Sequence, residues 1–379
     1  MPNPLITLQR LGQSPWHDNI HRDLITSGQL ARMIAEGDIT GLTSNPTIFE
    51  QAIAGGTAYD AAIRGFAAEG RSAEQIFDAL AIADIRDAAD LFRPVFERTG
   101  GSDGYVSIEV APTLAQDTAG TLAEARRLWR AVDRKNLLVK IPATAAGLGA
   151  IQAATADGIN VNVTLIFSLE RYAAVMAAYI AGLRARADAG LRVDAVFSVA
   201  SFFVSRVDTV VDRLLDQRIA AAPDAAPMFA ELRGKAAIAN AKLAYAACQR
   251  VFSGPEFSDL AALGARRQRP LWASTSSKNP TYADTYYVEA LIGVDTVNTM
   301  PPATIAAYRD HGAPALRVAE GLDAAAETIG ALAAVAIDFE AVLEQLAREG
   351  VASFSRSFAS LLAVLVQRMA TAGRIVRPR

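Results

Sequence analysis

Lys140 is a solitary charge in the apolar run Leu137-Leu138-Val139-Lys140-Ile141-Pro142. A lysine enclosed by apolar groups gives up its proton more readily, because burial disfavours an ammonium, and the free amine attacks carbonyl carbon. The resulting iminium withdraws electrons and lets an adjacent carbon–carbon bond break. A strand lysine can also snorkel to solvent or pair with a carboxylate. Two carboxylates sit in comparable settings: Glu109 between Ile108 and Val110, and Asp18 in Trp16-His17-Asp18-Asn19. Iminium chemistry needs a proton carrier as water leaves and a base at the hydroxyl beside the breaking bond, and carboxylates serve as both. The plainer alternatives are an ion pair of Glu109 with Lys140, and a helix cap at Asp18.

Neutral and cationic groups complete the set. Asn45, Thr164 and Ser201 offer the donors and acceptors that a polyhydroxylated substrate requires. Equally, Asn45 can serve the turn before Pro46, and Thr164 and Ser201 can be packing residues. Arg206 in SFFVSR, and Ser274, Ser276 and Lys278 in ASTSSKNP, combine cations with hydroxyls in a way that suits phosphate. An ordinary capped helix start is the alternative. The three histidines, His17, His21 and His311, lack an HExxH pattern, and His17 and His21 read as the surface start of a helix. No glycine-rich phosphate loop opens a helix after a strand. Neither metal nor cofactor is therefore expected.

These residues lie at the ends of short β-like runs: Pro15–Asp18, Gly41–Pro46, Tyr105–Val110, Leu137–Pro142, Asn160–Phe167, Ala195–Ser201, Leu271–Ser274 and Thr296–Thr299. Alanine-rich helical stretches separate most of them, including Ala123–Val132, Leu169–Leu183, Val204–Leu215, Met228–Cys248 and Phe339–Leu346. Strands alternating with helices pair in parallel. Eight such units predict a (β/α)8 TIM barrel, with a doubly wound sheet as the alternative. In a barrel the C-terminal strand ends share one mouth, where distant residues converge. Ser253–Arg269 reads as a surface loop, and Gly312–Gly373 as wholly helical. Residues 1–379 are expected to form one barrel domain, with 312–379 an extra C-terminal helical segment and the basic Arg374–Arg379 frayed.

The chain has 379 residues, is 51% apolar and carries a net charge of −3 with a sequence pI near 5.8. Nothing here marks a nucleic-acid binder. Apolar runs such as Ala195–Val204 and Leu361–Val366 are too short to cross a bilayer. One cysteine, Cys248, excludes an internal disulfide and suits a reducing cytoplasm. The expected partners are small molecules, with no nucleic acid and no membrane, for a monomer or homodimer.

The chain resembles the transaldolase family, in particular its longer bacterial branch. The resemblance rests on WHDNIHR (Trp16–Arg22), GLTSNPTIF (Gly41–Phe49), VSIEVA (Val106–Ala111), LVKIPAT (Leu138–Thr144), NVNVTLIFS (Asn160–Ser168), SFFVSR (Ser201–Arg206), ASTSSKNP (Ala273–Pro280) and DTVNTMP (Asp295–Pro301). It implies a class I aldolase-type barrel that moves a dihydroxyacetone unit in the pentose phosphate pathway. The donor would be sedoheptulose 7-phosphate and the acceptor glyceraldehyde 3-phosphate, giving erythrose 4-phosphate and fructose 6-phosphate. It further implies a Schiff base on Lys140, Asp18 as base at the C4 hydroxyl, and Glu109 with Thr164 holding the water of imine chemistry. Asn45 and Ser201 would bind the dihydroxyacetone hydroxyls, and Arg206 and Ser274 the phosphate. Shorter members carry arginine where Ser276 stands, and Lys278 is the cation available to replace it. A fructose-6-phosphate aldolase-like enzyme on the same scaffold is the near alternative. That smaller relative has glutamine in the place of Glu109. A non-catalytic sugar-phosphate-binding barrel is the distant one.

Overall fold

The computed structural model describes residues 3–375, with side chains described through Thr371. Met1, Pro2 and Val376–Arg379, which include most of the basic tail, lie outside the described residues. Eight parallel strands close into a barrel in sequence order: β1 (Gln13–Asp18), β2 (Gly41–Thr43), β3 (Val106–Glu109), β4 (Leu137–Pro142), β5 (Val161–Ile166), β6 (Ser198–Phe203), β7 (Arg269–Ala273) and β8 (Thr296–Met300). The barrel expectation holds, and the doubly wound alternative falls with the pairing of β1 and β8. Their seam is pinned by Gln13, whose Nε2 donates to Leu291 O at 2.8 Å and Thr296 Oγ1 at 2.9 Å.

The strand residues are almost entirely buried, as expected when helices cover a parallel sheet outside and side chains fill it inside. One contact fixes a residue type. Gly41 is the register partner of Trp16, and a Cβ at Gly41 would lie 2.5 Å from the indole. Only glycine lets that ring lie flat on β2, where its Nε1 donates to Asp103 Oδ1 at 2.8 Å. At β5 the register shifts between Val163 and Ile166, and Leu165 adopts the left-handed region at φ 61°. Such backbone strain in a non-glycine residue persists only where surrounding contacts hold it.

Several helical expectations need revision. The stretch Met228–Cys248 is two helices, Ala226–Ala230 and Ala236–Ser253, interrupted where Gly234 takes φ 71°. The expected surface loop Ser253–Arg269 contains a helix, Pro255–Ala262, which begins at the proline and buries Phe257 and Leu260. Residues 312–321 are not helical; the segment is held by Arg317 and Val318, whose N–H groups both donate to Ile292 O. Helices resume at Leu322–Ala334 and Phe339–Ile375.

The helix Phe339–Ile375 runs to 37 residues, in line with the helical tail expected through Gly373, and the patch Phe339–Leu346 is its first part. By length and composition alone, its Phe339–Thr371 portion could cross a membrane. Here it lies along the barrel and buries Val342, Leu343, Leu346, Phe354, Leu361 and Leu365. Six such side chains stabilise the docking by roughly 10–15 kcal/mol before the entropy of ordering is subtracted.

Candidate active site

Glu109 and Lys140 are register partners on β3 and β4. That pairing brings Lys140 Nζ to 3.2 Å from Glu109 Oε2, with both side chains only 6% exposed. The amine donates its hydrogen bond elsewhere, to Ser44 O at 3.2 Å. Glu109 Oε2 therefore forms an ion pair yet has no hydrogen-bond partner in the protein. The ion-pair reading of Glu109 is thus what the structure contains, and it does not compete with the chemical one. Both require the carboxylate beside the amine.

Lys140 opens into a cavity of about 190 Å³, which is also lined by Asp18, Asn45, Thr164, Ser201, Arg206, Ser274, Ser276 and Lys278. Every site residue singled out in the sequence therefore lines this cavity, except Glu109, which adjoins it through Lys140. The strands explain the convergence. Asp18 ends β1, Thr164 lies at the bulge of β5, and Ser201 lies near the end of β6. Arg206 sits in the first turn of the helix Ser205–Ala221 that follows β6.

Asp18 does not cap the next helix. His21 does so, its Nδ1 accepting from Leu24 N at 3.1 Å. Asp18 Oδ1 instead accepts from Thr43 Oγ1 at 2.7 Å, and Thr43 Oγ1 lies 2.6 Å from Thr299 Oγ1. Burial pushes the Asp18 carboxyl above its ordinary range, while Lys140, the Thr43 hydrogen bond, Arg206 and Lys278 pull it back. Burial likewise raises Glu109, opposed chiefly by Lys140. The sequence placed His17 on a helix surface. It is instead buried in β1, and burial, reinforced by His21, lowers its pKa to about 4.

Asn45 does both of the things its position allows. Its Oδ1 accepts from Ile48 N at 3.0 Å, capping the helix Pro46–Gly55, while its side chain lines the cavity. Thr164 Oγ1 is buried with no hydrogen-bond partner in the protein. Ser201 Oγ donates to Asn162 Oδ1 at 2.7 Å, and Asn162 Nδ2 donates to Ser107 Oγ at 3.1 Å. This chain crosses the barrel interior at the level of Lys140, whose register partner on β5 is Asn162.

The cationic end is built from the helix start at Arg206 and the loop after β7. Ser274 takes φ 57°, with its Oγ 3.1 Å from Ser205 Oγ. Lys278 Nζ donates to Ser276 Oγ at 2.6 Å. Burial lowers the pKa of Arg206, against the pull of Asp18, and lowers that of Lys278, with help from Arg206. The loop bearing Lys278 is tied to the helix bearing Arg206 by Tyr282 OH, which donates to Asp212 Oδ2 at 2.7 Å, and by Tyr287 OH, which donates to Asp208 Oδ2 at 3.0 Å. Three cations face two carboxylates, a balance that favours an anionic substrate.

Sequence reasoning missed Asn162, Thr299 and Phe354. Asn162 was accessible, since alternation along β5 puts it on the face of Thr164. Phe354 arrives from the C-terminal helix, and its ring centroid lies 5.5 Å from Lys140 Nζ. Among the described residues, no group of three or more His, Cys, Asp or Glu is placed to hold a metal ion.

Comparisons with known proteins place the chain in a family. The family model described as Transaldolase/Fructose-6-phosphate aldolase matches residues 15–365. A curated protein named Transaldolase from Thermobifida fusca (strain YX) is 51% identical over 371 residues, covering 98% of this chain and 99% of that protein. Another of that name, from Thiobacillus denitrificans (strain ATCC 25259 / T1), is 50% identical over 356 residues, covering 94% and 98%. A third, from Trichodesmium erythraeum (strain IMS101), is 46% identical over 371 residues, covering 97% and 98%. With a closed eight-stranded barrel and a family match spanning nearly all of it, this chain belongs to the transaldolase/fructose-6-phosphate aldolase family.

Proposed function

We propose that the chain is a transaldolase that works through an imine on Lys140. It moves a dihydroxyacetone unit from sedoheptulose 7-phosphate to glyceraldehyde 3-phosphate, a step of the pentose phosphate pathway. The observation that carries the reading is the buried Lys140–Glu109 pair at 3.2 Å, opening into one cavity with Asp18 and two phosphate-suited cations. A carboxylate whose proton affinity is raised by burial is a natural acceptor for an ammonium proton. The freed amine adds to the ketose carbonyl. Glu109 and Thr164 each present a buried oxygen that accepts no hydrogen bond from the protein and are suited to hold the water that leaves on dehydration and returns on hydrolysis.

Asp18 takes the proton from the C4 hydroxyl of the iminium. The C3–C4 bond breaks, the aldose phosphate leaves, and the electron pair enters the iminium to give an enamine. The enamine carbon then adds to the acceptor aldehyde, and hydrolysis returns the amine. Asn45 and Ser201 bind the hydroxyls of the three-carbon unit, and Arg206, Ser274 and Lys278 hold the phosphate. Lys278 on Ser276 supplies a point charge in place of a forked guanidinium. No cofactor is required. The names of the relatives and the lone, buried Cys248 support a soluble enzyme of the cytoplasm.

The test is trapping. Incubation with fructose 6-phosphate and borohydride should leave a reduced three-carbon adduct that maps to Lys140, and erythrose 4-phosphate should be converted faster than free dihydroxyacetone accumulates. An adduct at another residue would overturn the covalent assignment. Release outpacing transfer would make the enzyme an aldolase.

A further inference from the structure

We propose that Phe354 is a specificity-determining residue, the apolar wall that makes the enamine on Lys140 wait for an aldehyde instead of being protonated and lost. The inference rests on the covalent reading above. Phe354 is 5% exposed, lines the cavity, and sets its ring face 5.5 Å from Lys140 Nζ.

The helix bearing it is fastened to the segments that carry other site residues. One turn before Phe354, Gly350 lies on Leu165, where a Cβ would approach Leu165 Cδ2 to 2.8 Å. Leu165 is the strained residue next to Thr164. One turn after Phe354, Phe358 meets Phe77 edge-on at 5.7 Å, and Ser357 Oγ accepts from Thr47 Oγ1 at 2.8 Å. Thr47 belongs to the helix capped by Asn45. The helix is thus anchored on both sides of the mouth, and it presents the Phe354 ring to the amine.

That place has a chemical consequence. Free dihydroxyacetone forms only if the enamine carbon takes a proton from water, regenerating an iminium, and a second water then adds to that iminium and expels the amine. A fixed aromatic wall withholds the first proton donor while leaving the polar side of the cavity, with Thr164 and the adjoining Glu109, free to handle imine water. The same ring face attracts the positive charge of the iminium itself.

The experiment compares wild type, Phe354→Ala and Phe354→Leu with fructose 6-phosphate as donor and erythrose 4-phosphate as acceptor, measuring free dihydroxyacetone per sedoheptulose 7-phosphate formed. Borohydride trapping at Lys140 runs in parallel. We expect the ratio to rise about tenfold or more in Phe354→Ala and by less in Phe354→Leu, with the adduct retained in both. Phe354→Leu keeps most of the buried volume and carries the test alone if the alanine variant does not fold. An unchanged ratio with the adduct intact overturns this inference and leaves the covalent reading standing. Failure to trap an adduct even in wild type overturns both.

Discussion

Replacing Lys140 by methionine separates the chemical role of the residue from its electrostatic one. Methionine fills similar volume and packs well against Phe354, so the variant should fold. Turnover should fall by about 10⁴-fold or more, and borohydride should trap nothing. The stability effect follows from the geometry. At 3.2 Å, an effective dielectric of about 20 gives an attraction of about 5 kcal/mol, and breaking a buried pair costs about 3–5 kcal/mol because one charge is left unpaired. Glu109 escapes that cost by keeping a proton. Its carboxyl is already raised by burial, and the opposing pull of Lys140 disappears in the variant. A carboxyl raised in the folded state stabilises most below its unfolded pKa of about 4.3, and that stability is lost as pH rises. Lys140→Met should therefore be near wild type at about pH 4 and lose about 1.4 kcal/mol per pH unit above it, up to the full loss. Urea denaturation followed by circular dichroism at half-unit pH steps measures the slope, and adding Glu109→Gln should flatten it. A destabilisation independent of pH, or one that Glu109→Gln leaves unchanged, would refute the buried pairing. Retained turnover would refute the nucleophile.

Two further outcomes follow from other carboxyls. Asp18→Asn should reduce turnover by about 10²–10⁴-fold while the Lys140 adduct still forms. Because burial raises Asp18 and the base must be ionised, wild-type turnover should climb with pH through a limb above the ordinary carboxylate range; a limb at or below pH 4, or loss of the adduct in Asp18→Asn, would remove Asp18 from this role. Asp208, 1% exposed, is pushed up to about 7, first by burial and then by Asp212. The folded chain thus keeps a proton that the unfolded chain releases above pH 4. Wild-type stability should fall between pH 4 and 7, and Asp208→Asn, measured by denaturant titration, should gain about 2–4 kcal/mol relative to wild type between pH 5 and pH 8. A parallel pH dependence for the two proteins would contradict this.

The barrel was legible because short β-like runs with polar residues near their C-terminal ends alternate with helical stretches. Lys140 was conspicuous for the same reason, as a charge in an apolar run. Asp18 and Glu109 stood out likewise, since sequence spacing says which residues end strands. It does not say which strands lie in register, and so the 3.2 Å approach of Glu109 to Lys140 needed the structure. Asn45 left two readings open because capping and lining use different atoms of one side chain. Phe354 carried no polar label, and its role depends on where a distant helix docks. The one hint was Gly350, a glycine inside a helix, which weakens the helix by about 1 kcal/mol relative to alanine and implies a close neighbour. Gly312–Gly321 reads as helix from its alanine and leucine content, although Gly312, Pro314 and Gly321 are breakers that weigh against it; here the backbone finds its partner at Ile292 O.

The seam between β1 and β8 bears on how the protein reaches its native state. Gln13 and Thr296 are 283 residues apart. Closing a loop of that length costs about 5 kcal/mol in chain entropy, whereas bridging the roughly 23 residues from Ala273 to Thr296 costs about 2.8 kcal/mol. Chain entropy thus favours β8 joining β7 before it meets β1, which predicts that the seam closes last. Asp18 and Thr299 lie on the two strands of that seam, and both bond to Thr43. The proposed base and its neighbours would then come into place at the final step of folding, so regained activity should report closure of the cylinder, while backbone signals report the sheet that grew before it.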